Sequence, residues 1–486
     1  MSDAVADYSS QVLEPSADLA TVLDPSQLRT GDTINTRALR DAEPQLATIA
    51  GISESITNRV SGIDSSWSGT VADAQSQLTD VIDRANATVQ GTHVASQLVP
   101  SMLGGEGTRN YFLALQTPSE SRATGGLLGG FGILDATDGR VTAPELGRNY
   151  DLENPPRPQI DLGDDFNYLY DWTHVYTDFR NNNISPNFPD AAQIWIANWK
   201  AQSGQQLDGA IALDPIALSY VLKVTGPVTL ANGEKITADN VVPITLSTSY
   251  QRFANDNDAR KAYLQSISRA VVTQLSKAQG DTGALLEALG RGVHERRIMV
   301  YSTHPDEQAI LETTNLGHQI PDSSAPFMDV TVGNVAGNKI DYYLRRDISY
   351  TAGACTGDTR QSTASITLTN TLDDLSLPEY VIGSMGAPGA QVPRGTALTT
   401  VQFTLTRGAT VDTFKVDGEP ALRSSGELNG HPVVYTQVRV PPGESVTVEV
   451  TLTEPTSAHG QAQVPVQPLV DNPTPTVDVP ACGSGG

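Results

Sequence analysis

Hydrophobic residues recur at intervals of three and four over residues 49–89, and the set repeats every eleven residues. An eleven-residue repeat gives about 3.67 residues per turn, which is typical of a straight or slightly right-handed helical seam. A shorter apolar pattern covers residues 13–39. The two patterns predict an N-terminal helical hairpin or small bundle over residues 1–107, with a break at Gly62 and Gly69. We expect this helical part to act as a spacer.

Short apolar runs alternate with helical patterns over residues 108–328, which predicts an α/β core. Proline in the first helical turn and glycine after the last turn mark the helix ends in this region. The predicted strands are 111–115, 127–134 and 209–213, and the predicted helices are 190–201, 215–224 and 259–278.

The hydrophobic period changes to two in the C-terminal part of the chain. Apolar residues alternate with polar ones over residues 446–452, and turns rich in proline and glycine separate such runs. This pattern predicts an antiparallel β-sandwich over residues 358–456. Residues 329–357 are expected to connect the two units and contribute to the core, and residues 457–486 to form an extended Pro-rich tail.

The 486-residue chain has 55 acidic and 31 basic side chains, which gives a formal net charge of −24. Nucleic acids and anionic membrane surfaces are held by lysine and arginine, so this balance argues against both as partners. The few clustered arginines therefore become more informative. No apolar run long enough for a transmembrane helix occurs in the sequence.

The chain has two cysteines, Cys355 and Cys482, on either side of the C-terminal β-rich region. Both lie in polar segments rich in glycine and proline rather than in an apolar core. We therefore predict a disulfide between them, which implies an oxidising compartment outside the cytoplasm. Two unrelated free thiols are the alternative.

An arginine and a glycine-rich turn follow the predicted strand 111–115. Strand ends are the usual place for ligand sites in α/β proteins, so we expect Arg122 there, with Thr124, Gly125 and Gly126. Guanidinium groups bind phosphate and carboxylate, and glycine lets backbone N–H groups approach the same anion. Arg122 is therefore a catalytic candidate and the other three are substrate-binding candidates. Close strand packing is the alternative role of the glycines.

A second polar segment begins at Arg180, which follows aromatic positions and stands near Asp178. Arg180 is expected to join Arg122 in a fork for phosphate, with Asp178 as base or metal ligand. Structural pairing of the arginines with acids is the alternative. Asparagines in this segment either bind substrate or form hydrogen bonds with their own main chain. Further along the chain, Lys339 either binds an anion or stays solvated. The substrate-binding candidates are Asn181, Asn183, Asn187, Asp190, Asn334 and Lys339.

Four blocks stand out in order along the chain, beginning at Asn110, Arg180, Leu207 and Asp329: NYFLALQTPSESRATGGLLGGFG, RNNNISPNFPDAAQIW, LDGAIALDPIALSYVLKVTGPV and DVTVGNVAGNKIDYYLRR. Together they resemble a bacterial family of unknown function, DUF4012. Members of that family usually carry a membrane helix just before such a region. The resemblance therefore implies a cell-surface protein outside the cytoplasm, held by a membrane anchor that precedes the sequence.

The third block, residues 207–228, is similar to the strand–helix–turn of the LytR-CpsA-Psr envelope phosphotransferases, although its turn is Gly-Pro-Val rather than Gly-Gly-Val. This resemblance implies an α/β core of the LytR-CpsA-Psr type. It also implies that arginines grip the pyrophosphate of a polyprenyl-linked glycan while an acid assists with Mg²⁺. Arg122, Arg180 and Asp178 are the counterparts in this sequence.

The chain lacks the sequence signatures of nucleotide hydrolysis, serine hydrolysis and zinc proteolysis. The LytR-CpsA-Psr resemblance and the constellation of arginines, glycines and asparagines favour an extracytoplasmic phosphotransferase or glycan transferase. Such an enzyme acts on polyprenyl-(pyro)phosphate-linked surface polysaccharide and delivers it to the cell wall. The alternative is a non-catalytic envelope assembly protein that binds glycan or a partner. A glycoside hydrolase is a third possibility, because acidic residues are plentiful.

Overall fold

The computed structural model describes residues 2–22, 24, 28–61, 63, 69–277, 282–385 and 391–482. They form a helical part, an α/β part and a β-sandwich, in that order along the chain. The expected break at Gly62 and the last four residues of the predicted tail lie outside the described residues. Within the described ranges, no helix is both long and apolar enough to cross a bilayer.

The N-terminal part is built on two long helices that pack against each other. Apolar side chains of the three-and-four pattern, such as Leu46, Ile49 and Ile82, are buried in its core. The elements are α1 (Ser2–Tyr8), α2 (Glu14–Val22), β1 (Arg29–Thr30), β2 (Thr33–Ile34), α3 (Thr36–Ser61) and α4 (Gly69–Met102).

The α/β part begins with three consecutive strands, and further helices and strands follow. Its strands are β3 (Arg109–Arg122), β4 (Gly125–Thr137), β5 (Arg140–Arg148), β6 (Gly209–Leu213), β7 (Val228–Thr229), β8 (Lys235–Ile236) and β9 (Ile298–Ser302). Its helices are α5 (Asp164–Tyr170), α6 (Phe188–Ser203), α7 (Pro215–Thr225), α8 (Val241–Pro243), α9 (Ser249–Arg252), α10 (Asn257–Lys277), α11 (Thr282–His294) and α12 (Pro305–Glu312).

A seven-stranded sheet with the order β1-β2-β5-β4-β3-β6-β9 forms the centre of the α/β part. Strands β3 and β6 run parallel, and the other described neighbours in this sheet are antiparallel. Helix α6 packs on the sheet through Trp195 and Trp199, which contact the rings of Phe112 and Phe131. Both tryptophans are therefore core residues.

Strand β3 is longer than predicted and continues through polar residues to Arg122. Its register with β4 shifts within residues 117–121, and a two-residue turn leads back into β4. A Cβ atom on Gly126 would lie 2.1 Å from the carbonyl carbon of Thr117. No side chain fits there, so Gly126 allows close strand packing rather than the approach of a ligand.

Two sheets of the C-terminal part enclose a common apolar core, with strand orders β10-β13-β17-β16 and β15-β14-β18-β12-β11-β19. Both are antiparallel apart from the β11–β19 pair. The elements are β10 (Met328–Asn334), β11 (Leu344–Ala352), β12 (Thr359–Asn370), α13 (Glu379–Ile382), β13 (Ala397–Leu405), β14 (Thr410–Val416), β15 (Glu419–Pro420), β16 (Ser424–Leu428), β17 (His431–Val440), β18 (Ser445–Pro455) and β19 (Thr476–Asp478).

The sandwich extends beyond the predicted residues 358–456 at its N-terminal side. Residues 329–357, which were expected to connect two units, contain β10 and β11, and each strand lies in one of the two sheets. Val330 and Val332 in β10, and Ile348 and Tyr350 in β11, are buried in the sandwich core. These alternations are short and interrupted by a turn, so they are weak signals in the sequence.

The described part of the tail also packs against the folded protein. Strand β19 pairs with β11, and the side-chain amide of Gln467 donates to the carbonyl groups of Arg122 and Val332. The tail ends in the predicted disulfide, which joins Cys355 and Cys482 across 127 residues. The tail therefore links the sandwich to the tip of the β3–β4 hairpin.

Replacing both cysteines by serine (Cys355→Ser with Cys482→Ser) is expected to lower the free energy of unfolding by about 3–5 kcal/mol. The reason is that the bond closes a long loop and so restricts the unfolded chain. Urea denaturation of the variant, with oxidised and reduced wild type alongside, measures the change. Coincident unfolding curves for all three proteins would contradict the expectation.

Candidate functional site

Arg122 is buried, and its donors are used by the protein itself. Its Nε donates to the carbonyl of Arg180 at 2.8 Å. Its Nη1 donates to the carbonyls of Ser121 at 2.8 Å and Asn334 at 3.3 Å, and its Nη2 pairs with Glu120 at 3.4 Å. Protein acceptors therefore bind the guanidinium donors of Arg122, which the sequence suggested as one arm of an anion fork.

Arg180 and Asp178 form a separate ion pair near the surface. The Arg180 guanidinium contacts both Asp178 oxygens at 2.6–3.2 Å, and its side chain is 58% exposed. Burial opposes ionisation of Asp178, but hydrogen bonds from Arg180 outweigh it and hold the pKa of Asp178 below its ordinary value. Each of the two arginines has protein partners of its own, as the alternative of structural pairing with acids expects, and the fork of Arg122 and Arg180 stays a prediction.

The side chains of the asparagines after Arg180 bind other protein groups, both within their own segment and outside it. Asn181 Nδ2 donates to the carbonyl of Thr173 at 2.7 Å. Asn183 Nδ2 donates to the hydroxyl of Thr124 and to the carbonyl of Gly126, both at 2.9 Å. The Asn183 amide holds the segment to the β3–β4 hairpin, in which the buried Gly125 begins β4.

Asn187 and Asp190 form a buried box at the start of α6. Asp190 accepts hydrogen bonds from Asn187 Nδ2 at 2.8 Å and from the Ser185 hydroxyl at 2.6 Å. Asn187 Oδ1 in turn accepts from the backbone of Ile320. Burial raises the pKa of Asp190 to about 6, although the two hydrogen bonds oppose the shift. These groups hold the segment in place and do not face a ligand site.

Asn334 and Lys339 complete one buried polar network. Asn334 Nδ2 donates to Asn338 and Asp341 at 3.1 Å, while Lys339 forms a short ion pair with Glu120. Burial opposes ionisation of Glu120, but the nearby cations hold the pKa of its carboxyl below the ordinary value. The residues that the sequence indicated therefore come together, but their polar groups mostly bind one another.

A cavity lies beside this network, at the carboxyl end of β6. It encloses about 110 Å³, or about 960 Å³ when space open to solvent is included. Strands β3–β5 and helices α7, α9 and α10 supply most of the wall, and Lys339 and Tyr380 come from the sandwich side. Ligand sites of α/β proteins are commonly found outside strand ends of this kind. The apolar lining includes Leu127, Leu146, Leu218, Leu246, Leu264 and Ile267.

Four cations line the cavity, and Arg260 is the most deeply buried arginine among them, at 3% exposure. Its guanidinium carbon lies 4.7 Å from the ring centre of Tyr250 and 4.2 Å from that of Tyr380. The two rings stack at 5.7 Å. Aromatic faces attract a cation but leave its charge uncancelled, so Arg260 can still attract an anion. The other three cations are Arg148, Lys261 and Lys339.

Lys261 is the cavity cation whose charge is most disfavoured. Its Nζ donates to Asn149 Oδ1 at 2.6 Å and lies 3.0 Å from the ring centre of Tyr150. Burial, together with the charges of the other three cations, lowers the pKa of Lys261 from 10.5 to about 7. An anion in the cavity would favour the charged form and reverse this shift.

Sequence reasoning located helix α10 but assigned no role to Arg260 and Lys261. Adjacent cations on a helix usually face solvent, so the residue types of this pair do not indicate a site. A usable signal was present, because Arg260 precedes buried Tyr263 and Ile267 at helical spacing. That spacing places Arg260 on the apolar face of α10.

Residues 106–250 match the family model described as protein of unknown function, DUF4012. This segment of the chain is similar to the DUF4012 family, and we call it the DUF4012 segment. The family resemblance expected from the sequence blocks is thereby confirmed. The DUF4012 segment supplies β3 to β6, α7 and Tyr250 to the cavity. Arg260, Lys261 and Lys339 follow it in the chain.

No curated protein sequence matches this chain. Among solved structures, the crystal structure of a candidate nutrient binding protein from Legionella pneumophila is similar at 8% identity. The match covers 27% of this chain and 44% of that chain, with a TM-score of 0.18. A similarity of this extent does not indicate a shared fold, so the DUF4012 segment gains no functional counterpart from it.

The magnesium implied by the LytR-CpsA-Psr resemblance does not fit the residues expected to hold it. Asp178, the acid beside the DUF4012 arginines, accepts hydrogen bonds from Arg180 on both oxygens. Among the described residues, no group of three or more His, Cys, Asp or Glu side chains is placed to hold a metal ion.

Arg122→Ala is expected to lower the free energy of unfolding by about 3 kcal/mol, because it leaves buried acceptors and part of the Glu120 charge uncompensated. Arg180→Ala, the control, is expected to change it by about 0.5 kcal/mol or less, since the Arg180 side chain is largely exposed. Chemical denaturation measures both values. Equal losses for the two variants would contradict the division of roles.

Lys261→Met is expected to stabilise the protein near neutral pH, by about 1 kcal/mol after allowance for solvent screening. The unfolded lysine keeps its ordinary pKa of 10.5, whereas the folded pKa is about 7. The cost of the charge is therefore fully present below the folded pKa and disappears as pH rises to the unfolded pKa. Denaturation of both proteins across this pH range measures the gap, and a gap that widens with pH would refute the assignment.

Proposed function

We propose that this protein acts in the cell envelope, outside the cytoplasm, and binds polyprenyl-(pyro)phosphate-linked surface polysaccharide through its cation-lined cavity. The observation that carries the proposal is the combination of cationic and apolar walls in one cavity. Arg260 and Lys261 offer positive charge, and Leu218, Leu246 and Leu264 offer an apolar surface. A phosphate that carries a hydrocarbon chain matches both walls.

The sign of the cavity supports this ligand because it opposes the charge of the rest of the chain. The formal net charge is −24, yet four cations gather at one cavity. Holding like charges together is unfavourable, and a bound anion relieves it. A neutral ligand would leave the repulsion in place.

Two further features support the envelope setting. The third sequence block, which resembles the LytR-CpsA-Psr phosphotransferases, supplies Leu213, Asp214, Pro215 and Leu218 to the cavity wall. The Cys355–Cys482 disulfide is compatible with an oxidising compartment. The enclosed volume of about 110 Å³ suits a head group and the first part of a chain, with the glycan outside.

Transfer of the bound group to the cell wall is a second candidate function. It is favoured by Lys261, which lines the cavity and whose positive charge, favoured by a bound anion, would face the phosphoryl group. The other cations would neutralise charge on a transferring phosphoryl group. Release of polyprenyl phosphate from a lipid-linked donor, with wall glycan as acceptor, tests it. Tight binding without turnover would leave the non-catalytic role.

Farnesyl phosphate, a short polyprenyl phosphate, is expected to bind the full chain more tightly than inorganic phosphate. Leu264→Asn is expected to weaken farnesyl phosphate about tenfold, because burial of a leucine side chain is worth about 1.5–3 kcal/mol in full. The same variant is expected to bind inorganic phosphate with unchanged affinity. Isothermal titration calorimetry measures all four affinities.

The matched control is Leu286→Asn, which alters an exposed leucine on α11 that is not part of the cavity wall. This variant is expected to bind farnesyl phosphate like the wild type. Equal binding of farnesyl phosphate and inorganic phosphate by the wild type would reject the lipid part of the proposal. Equal losses in both leucine variants would reject the location.

A further inference from the structure

Some of the charges around the cavity are balanced by protein partners. Each balanced group at the wall has an opposite charge within 4.0 Å. These ion pairs are Arg148–Asp151 at 2.9 Å, Asp214–Arg297 at 2.8 Å and the short Lys339–Glu120 contact. They hold the wall together and leave little net charge for a ligand.

Arg260 and Lys261 are different, because neither has a carboxylate within 4.0 Å among the described residues. Arg260 contacts the rings of Tyr250 and Tyr380 and donates to the side chain of Asn257. Lys261 donates to the neutral Asn149 amide. The cavity wall therefore carries two adjacent positive charges outside any salt bridge, and Asp151, the acid whose charge reaches Lys261, already pairs with Arg148.

Both side chains also keep free hydrogen-bond donors. A guanidinium has five N–H donors and an ammonium three. The described side-chain hydrogen bonds use one donor of Arg260 and one of Lys261. The remaining donors can bind several oxygens of one tetrahedral group. A carboxylate has two oxygens and cannot use all of these donors.

We propose that the cavity selects head groups with two negative charges, namely a phosphate monoester or a pyrophosphate, over phosphodiesters and carboxylates with one, and so favours the pyrophosphate-linked over the phosphate-linked polysaccharide of the proposed function. A dianion neutralises both unmatched cations, whereas a monoanion leaves one of them buried without a partner. The apolar part of the ligand rests on the proposed function, but the charge selectivity depends on Arg260 and Lys261 alone. Such a ligand favours the charged form of Lys261, which the neighbouring cations otherwise disfavour.

The test compares farnesyl phosphate with its methyl diester, which has the same chain and one charge less. Above the second phosphate pKa of about 6, the full-length wild type is expected to bind the monoester about tenfold more tightly, the worth of one charged hydrogen bond. Lys261→Met is expected to reduce this ratio to about threefold or less. Lys261→Arg, which restores the charge, is expected to restore the ratio.

Lys223→Met is the matched control, since Lys223 is an exposed lysine on α7 outside the cavity wall and is expected to keep the wild-type ratio. Equal affinity for monoester and diester in the wild type would overturn the selectivity and leave the proposed function standing. Inorganic pyrophosphate is titrated in parallel. Binding of pyrophosphate that Lys261→Met weakens, without binding of either lipid, would support the selectivity and reject the proposed function. No binding of any of the three probes would overturn both.

Discussion

The charge of Glu120 is the constraint on which the arrangement of the site depends. This carboxylate lies inside the molecule near the end of β3 and is compensated by Lys339 and Arg122. An unpaired charge at such a position costs several kcal/mol, so the three side chains must stay together. Lys339 comes from the sandwich side, and Arg122 also holds the backbone of Arg180. One buried acid therefore fixes the α/β part, the polar segment and the sandwich relative to one another.

The cavity inherits its shape from this arrangement. Lys339 and Tyr380 reach it from the sandwich side, while Arg260 and Lys261 reach it from α10. Because Glu120 already compensates Lys339, it cannot also compensate the two cations of α10. The fold thus keeps an unfavourable positive site in a protein with many acids. Natural proteins retain such costs mainly where a ligand later compensates them.

The fold was predictable where local signals decide the structure. Helix α7 begins at Pro215 and ends before Gly226, because proline suits the first turn and glycine the helix end. The full length of β3 was not predictable, since Ser119, Glu120 and Ser121 are polar and resemble a loop. Their partners, such as Asp341 and Lys339, lie about 220 residues further along the chain. No local pattern shows such partners.

The candidate site was predictable only in part, for a related reason. Residue type correctly indicated that Arg122, Asn183 and Asn334 lie together, but type does not show whether a donor is already used. Arg122 gives its donors to carbonyl groups and to Glu120. Arg260 contacts two aromatic rings and keeps most of its donors. A ligand that displaces water binds more readily than one that displaces protein partners, and this difference favours the cavity over the predicted arginine fork.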